Sequence, residues 1–299
     1  MYDLYIMDLK NGKNLLKILK PLKGESPAFG EIPFDEIILE HLKSNPSLER
    51  SSNPGVLILC GPPGSGKSTV KKNLLNEFFI NDYVNIDPDE IRSILMSEGV
   101  TFPDDKIMAG ITNSFNKRIS DFSLKEGYNI VFDTTGQNFR AVSDLIYQSK
   151  QIGYKTIFSI IYASLETCQR RVKSRNEYLK SSGSGRIELP LDIAAKIYDG
   201  FMQPKGTASM FLLDYPVRAE TILLYNNNED GQEPQLLYKK VGENVEYALD
   251  FSGFYNMNIM AQPPYIRKAL AGGKRRRTRK IKTRKIKTRK IKSRKSRKY

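Results

Sequence analysis

The stretch Gly61-Pro-Pro-Gly-Ser-Gly-Lys-Ser68, followed by Thr69, constrains this chain more than any other feature. It fits the pattern G-x-x-x-x-G-K-[ST] without departure. An apolar run of strand length, Val56-Leu-Ile-Leu-Cys60, precedes it, and a helix is expected after it, from about Lys67 to Phe79. A glycine-rich turn between a strand and a helix gathers backbone N–H groups and the positive end of the helix dipole on one concavity, which suits phosphate. In such a loop the lysine, here Lys67, reaches the β- and γ-phosphates of a nucleotide, and the hydroxyl, here Ser68, ligates Mg²⁺. Gly61, Pro62, Pro63, Gly64, Ser65, Gly66, Lys67, Ser68 and Thr69 are therefore the candidate ATP-binding residues.

The rest of the middle of the chain repeats the alternation of strand and helix. Strands are expected at Tyr83–Ile86, Asn129–Phe132, Thr156–Ile161 and Thr221–Tyr225. Helices are expected from about Asp89, over about Asp105 to Lys125, Phe139 to Gln151, Leu165 to Arg175 and Leu191 to Phe201. The strands are nearly continuous apolar runs without in–out alternation, which indicates a mainly parallel sheet covered on both faces. The expected fold is α/β, a three-layer phosphate-loop kinase architecture, with a small edge strand or hairpin over 235–247.

Composition matters here through the location of charge. The formal charge is +15, yet residues 274–299 hold 17 Lys or Arg and no acid, so the remaining body carries 31 basic against 33 acidic residues. The basicity belongs to a tail. In that tail Thr-Arg-Lys-Ile-Lys recurs at 278, 283 and 288, and its isoleucines fall every five residues. That spacing builds no apolar face on either a helix or a strand, and like charges repel, so the tail is expected to be disordered. The expected organisation is an N-terminal extension (1–50), a kinase domain (51–250), a linker (251–273) and the tail (274–299).

Two cysteines, Cys60 and Cys168, are too few for a disulfide framework. No apolar run approaches the roughly 20 residues that span a bilayer, and the N-terminus lacks the layout of a signal peptide. The chain reads as soluble and intracellular, cytoplasmic or nuclear. There is one histidine, His41, no Cys/His metal cluster and no Ser–His pair, which leaves hydrolase and zinc chemistry without candidates.

Three further constellations surround the loop. Asn85-Ile-Asp-Pro-Asp-Glu-Ile-Arg92 lies at the C-terminal end of the second strand, where open α/β sheets bind ligands. Asp89 and Arg92 share a helix face there. A carboxylate beside a guanidinium suits a base for a hydroxyl proton and a clamp on an anionic acceptor. The same residues also admit a plainer reading, with Asp87 and Asp89 as helix caps and Arg92 as a surface charge. Ile130-Val-Phe-Asp-Thr-Thr-Gly136 has the form of a strand ending in an acid that faces Mg²⁺ or the acceptor, which makes Asp133 a catalytic and metal candidate beside Ser68. Cys168-Gln-Arg-Arg-Val-Lys-Ser-Arg175 and the glycine-flexible Ser182-Gly-Ser-Gly-Arg186 match a lid that brings Arg171, Arg175 and Arg186 onto a transferring phosphate, or else an ordinary basic helix and surface loop.

Taken in order, GPPGSGKST, NIDPDEIR, NIVFDTTGQN, RRVKSR and LLYNNN resemble the zeta-toxin-like P-loop kinases, close to polynucleotide kinases and chloramphenicol phosphotransferases, over roughly residues 52–245. The resemblance implies that Lys67 is the ATP lysine, Asp89 the base and Arg92 an acceptor-binding residue. It implies Arg171, Arg175 and Arg186 as lid residues, and Asn226 or Asn227 near the adenine. Asp133 stands where many zeta toxins carry Glu.

The expected activity is transfer of the γ-phosphoryl of Mg·ATP to a hydroxyl acceptor. That acceptor is a small molecule, a nucleotide sugar or a nucleic-acid 5′-hydroxyl. Through residues 274–299 the chain is also a candidate partner of nucleic acid or an anionic surface. The alternative is a nucleotide-regulated nucleic-acid-binding protein with little turnover, acting through that tail.

Overall fold

The computed structural model describes residues 38, 42, 48–78, 80, 82–97, 105–182, 188–203, 206–212 and 218–248. Arg186, the linker 251–273, the tail 274–299 and most of the extension 1–50 lie outside the described residues.

In chain order the elements are β1 Gly55–Cys60, α1 Lys67–Glu77, β2 Val84–Ile86, α2 Pro88–Ser97, α3 Asp105–Glu126, β3 Ile130–Thr134 and α4 Phe139–Gln151. There follow β4 Lys155–Tyr162, α5 Leu165–Ser182, α6 Leu191–Met202, α7 Thr207–Leu212, β5 Thr221–Asn226, β6 Gln235–Val241 and β7 Asn244–Ala248. The strands form one seven-stranded sheet in the order β2-β3-β1-β4-β5-β6-β7. The first five are parallel, and β6 and β7 close one edge as antiparallel strands. This is the α/β fold of P-loop kinases, with a mainly parallel sheet.

β1 shows why its sequence does not alternate in polarity. Every residue of it is buried. Val56, Ile58 and Cys60 point into the larger core, while Leu57 and Leu59 point into a smaller one on the opposite face. Val70 and Leu74 of α1, four residues apart and hence on one helix face, cap the smaller core. On the larger side lie Ile91 and Leu95 of α2, Ile111, Phe115 and Ile119 of α3, Val142 and Ile146 of α4, and Phe201 of α6. Both faces exclude water, so both sets of side chains must be apolar.

Two features depart from the sequence expectation. β3 runs two residues further than its apolar stretch, through Asp133 and Thr134, because the ladder to Leu59 and Cys60 of β1 carries these polar residues in strand geometry. α7 has only six residues, too few for a periodic signal, and its start is fixed by tertiary bonds: Thr207 donates from both N (2.9 Å) and Oγ1 (2.8 Å) to the Gly136 carbonyl. Ile38 and Leu42, helical residues one turn apart within the extension, are buried in the larger core.

Strand order positions the site. The chain leaves β1, pairs to one side through β3 and β2, then crosses to β4 and β5 on the other. The C-terminal end of β1 is therefore the switch point where such sheets open a crevice.

Candidate active site

The Gly61–Thr69 loop fills that switch point. Gly64 and Gly66 have φ of +80° and +86°, a region that L side chains rarely enter. Neither has room for a side chain in any case. A Cβ on Gly64 would meet the Cys168 carbonyl oxygen at 2.4 Å, and one on Gly66 would meet Asn227 Nδ2 at 1.8 Å. Gly66 ends the turn as the cap of α1, and Gly61 N donates to the Thr134 carbonyl at 3.1 Å, which ties the loop to the end of β3. Ser68 and Thr69 are exposed at the start of α1.

Lys67 bends back over its own loop. Its Nζ donates to the Gly61 carbonyl at 2.8 Å and lies 3.6 Å from Asp133 Oδ1. Both side chains are only 15% exposed. Burial pushes the Asp133 carboxyl up to about 6, against the opposing pull of Lys67, while Asp87 adds like-charge repulsion. The candidate metal donors are thus a hydroxyl at the loop mouth and a buried carboxylate. Hard oxygen donors of this kind fit Mg²⁺, which takes one or two protein groups with the nucleotide phosphates supplying the rest. No group of three or more His, Cys, Asp or Glu among the described residues could hold a metal by itself, and such a site needs none.

One strand beyond β3, at the end of β2, Asp87 caps α2. Its Oδ1 accepts from Asp89 N at 2.9 Å, its carbonyl from Ile91 N at 3.0 Å, and Pro88 takes the first helical position. The capping alternative therefore applies to Asp87 but not to Asp89, which lies inside the helix. Asp89 is 73% exposed and accepts from Arg92 Nη1 at 3.0 Å. Arg92 Nε is buried without a hydrogen-bond partner among the described residues.

The opposite wall comes from α5 and the loop after β5. Arg171 Nη1 donates to the carbonyls of Gly64 (3.2 Å) and Asn227 (2.9 Å), and Nε donates to Asp230 Oδ1 at 2.6 Å. Asn227, itself buried, donates from Nδ2 to the Ser65 carbonyl at 2.8 Å.

These features coincide with what known proteins share with the chain. The sequence model of the Zeta toxin family matches residues 39–230. The chain belongs to the zeta-toxin family. The solved PezAT toxin–antitoxin system of Streptococcus pneumoniae is similar over 87% of this chain and 99% of its own, at 15% identity and a TM-score of 0.53. The AvrRxo1-ORF1:-ORF2 complex solved with ATP is similar over 75% of this chain and 69% of its own, at 17% identity and a TM-score of 0.52. The same complex with sulphate ions aligns over 74% and 66%, at 16% identity and 0.50. At these identities the likeness is one of fold. No curated protein matches the sequence.

Within this zeta-toxin-family domain, the loop residues Gly61 to Thr69, Lys67, Asp133, Arg171 and Asn227 converge at the end of β1. Asp89 and Arg92 lie two strands away, in the first turns of α2 after β2, paired to each other. Arg175, one turn beyond Arg171, is exposed, and Arg186 lies outside the described residues. Asn226 closes β5, with its Oδ1 buried and unpartnered among the described residues.

Lys71 escaped the sequence reading although it sits four residues after Lys67, on the same face of α1. Its Nζ donates to Asn85 Oδ1 at 2.6 Å and lies 5.2 Å from the centre of the Tyr83 ring, while Asn85 Nδ2 donates to Glu90. Burial lowers its basicity, opposed by Asp133, Asp87 and Glu90. It joins the loop helix to the β2 edge. Cys60 and Cys168 are free and buried; burial raises both thiols, Cys168 to about 12, so neither is a nucleophile.

Proposed function

We propose that this chain transfers the γ-phosphoryl group of Mg·ATP to a hydroxyl of an acceptor bound at the β2–α2 edge. The observation that carries the reading is the row of three adjacent strand ends. β1 bears the phosphate loop, β3 bears Asp133 within 3.6 Å of Lys67, and β2 bears the Asp87–Arg92 segment. A donor, a charge-neutralising centre and an acceptor in line are what phosphoryl transfer asks of a protein, since positioning and electrostatics supply most of its catalysis. Membership of the zeta-toxin family supports phosphotransfer from ATP. The ATP in the AvrRxo1 complex, a protein of similar fold, supports the same donor.

In this mechanism the N–H groups of the loop bind the phosphates and Lys67 leaves the Gly61 and Pro62 carbonyls for the β/γ-oxygens. Ser68 and Asp133 would hold Mg²⁺, which supplies neutralisation of charge on the transferring group. Asp89, the exposed carboxylate, takes the acceptor hydroxyl proton. Arg92, with an unsatisfied Nε, anchors an anionic part of the acceptor. Arg175 and Arg186 are the candidates to close over the transferring phosphoryl.

The test is transfer from γ-labelled ATP with Mg²⁺ to a 5′-hydroxyl oligonucleotide and to a panel of nucleotide sugars, using the full chain and a form lacking residues 274–299. Label should reach one acceptor class in both forms. A nucleic-acid binder acting through its tail would bind ATP and transfer nothing, and would lose its binding with the tail. That outcome overturns the kinase reading.

A further inference from the structure

A phosphate loop works only if its peptide planes are turned the right way. In a trans peptide the carbonyl and the following N–H point in opposite directions, so fixing one fixes the other. Two successive carbonyls of the loop are fixed here from outside it. Gly64 O accepts from Arg171 Nη1, which orients the Ser65 N–H; Ser65 O accepts from Asn227 Nδ2, which orients the Gly66 N–H. The Ser65 N–H in turn closes the loop on the Pro62 carbonyl at 3.1 Å.

Four of the five guanidinium N–H groups of Arg171 are engaged with the protein in this arrangement, which leaves a single N–H on Nη2. Nη1 serves Gly64 and Asn227, Nη2 the Glu229 carbonyl at 3.4 Å, and Nε Asp230 Oδ1. Asp230 holds Arg170 as well, its Oδ2 accepting from Arg170 Nε at 3.1 Å and Nη2 at 2.6 Å. Both arginines hold the Asp230 carboxyl below the ordinary carboxylate range, Arg171 first. Asn227 is anchored a second time, its N donating to the Tyr162 carbonyl at 2.8 Å.

We infer that Arg171 and Asp230 form a clasp that positions the phosphate loop for nucleotide. Arg171 is then a positioning residue rather than a lid cation that meets the transferring phosphate. The inference rests on the nucleotide site proposed above, but not on the identity of the acceptor. The clasp also links the loop after β5 to the phosphate loop through one guanidinium.

The experiment measures ATP and ADP dissociation constants by calorimetry, with Mg²⁺, for the full chain and for Asp230→Asn, Arg171→Met and the double variant. Thermal melts of each nucleotide-free protein accompany them. Each single variant should weaken ATP and ADP alike by roughly ten-fold, about the effect of losing one charge-assisted hydrogen bond. The double variant should be no worse than Arg171→Met, and the Asp230→Asn melt should match that of the parent chain. Arg171→Met weakening ATP but not ADP would mean that the guanidinium meets the γ-phosphate, and would overturn the clasp. So would Asp230→Asn binding both nucleotides like the parent, or a lowered melt with unchanged affinity. A parent chain that binds neither nucleotide would remove the kinase reading itself, and the clasp with it.

Discussion

On the phosphate-loop side, the carbonyls of Gly64 and Ser65 are each fixed by a side chain from a segment far along the chain. On the β2–α2 side, Asp89 is 73% exposed and pairs with Arg92, three residues along its own helix. The first half of the site is held by tertiary contacts, although Ser65 Oγ within the loop is buried without a hydrogen-bond partner among the described residues. The second is set by local geometry, and it keeps one buried donor, Arg92 Nε, unsatisfied among the described residues. A buried donor without a partner costs stability, so its persistence fits a group that an acceptor completes. In the kinase reading the donor molecule is fixed by the rigid half, and the acceptor is chosen by the open half.

The sharpest break of this comparison is at Lys67, where the rigid half meets the reacting phosphate. Lys67→Ala should lower phosphoryl transfer by at least roughly a thousand-fold, as for removal of a preorganised charge at the transition state. The variant should still fold, with a lower melt at neutral pH, because the lysine is the nearest cation to the buried Asp133 carboxylate. Transfer at the parent rate would place the chemistry elsewhere and dissolve the distinction between the halves.

Asp89→Asn tests the open half. General-base contributions run to about a hundred- to ten-thousand-fold, and we expect the loss to lie toward the lower end, in kcat, with ATP affinity intact. If ATP affinity collapses instead, the two halves are coupled and Asp89 belongs to the rigid one. A loss smaller than that of Lys67→Ala, with nucleotide binding preserved, would sharpen the division.

The same division explains what could be read in the sequence. β1, the phosphate loop and α1 were legible because an apolar run, a fixed-spacing motif and a helix follow one another without interruption. Asp133 was legible as the acid after an apolar run, although its place inside β3 was not, because the ladder to β1 supplies the strand geometry that its own residues do not favour. The Asp87–Arg92 segment was legible because its geometry is local; Pro88 and the Asp87 cap set the helix start within three residues. The clasp was not. Arg171 and Asp230 lie 59 residues apart, and no spacing along the chain announces their pairing. α7 escaped for the same reason, since tertiary bonds rather than periodicity hold it. Lys71 is different, because its place four residues after Lys67, on the helix that starts at the loop, is local and could have been read.

The smallest effect we predict concerns the stability the rigid half gives up. Burial raises the Asp133 carboxyl from 3.8 to about 6 in the folded chain, so the folded state holds that proton more tightly than the unfolded one. The stabilisation this brings is fully present below pH 4 and is lost as pH rises through 6, leaving a buried carboxylate that Lys67, and to a lesser extent Lys71, offsets. Asp133→Asn has no such proton to lose. Between pH 4 and 7 its stability should therefore gain on the parent by at most about 3 kcal/mol, since each tenfold difference in proton affinity between the folded and unfolded chain is worth about 1.36 kcal/mol. Denaturant unfolding at both pH values, without nucleotide or Mg²⁺, measures the difference. Two parallel pH profiles would mean that Asp133 is not strained by burial, and that holding the phosphate-loop half in place ahead of its ligand costs the fold nothing at this position. A profile that diverges as predicted would identify Asp133 as a charge kept at a cost to stability because the site uses it.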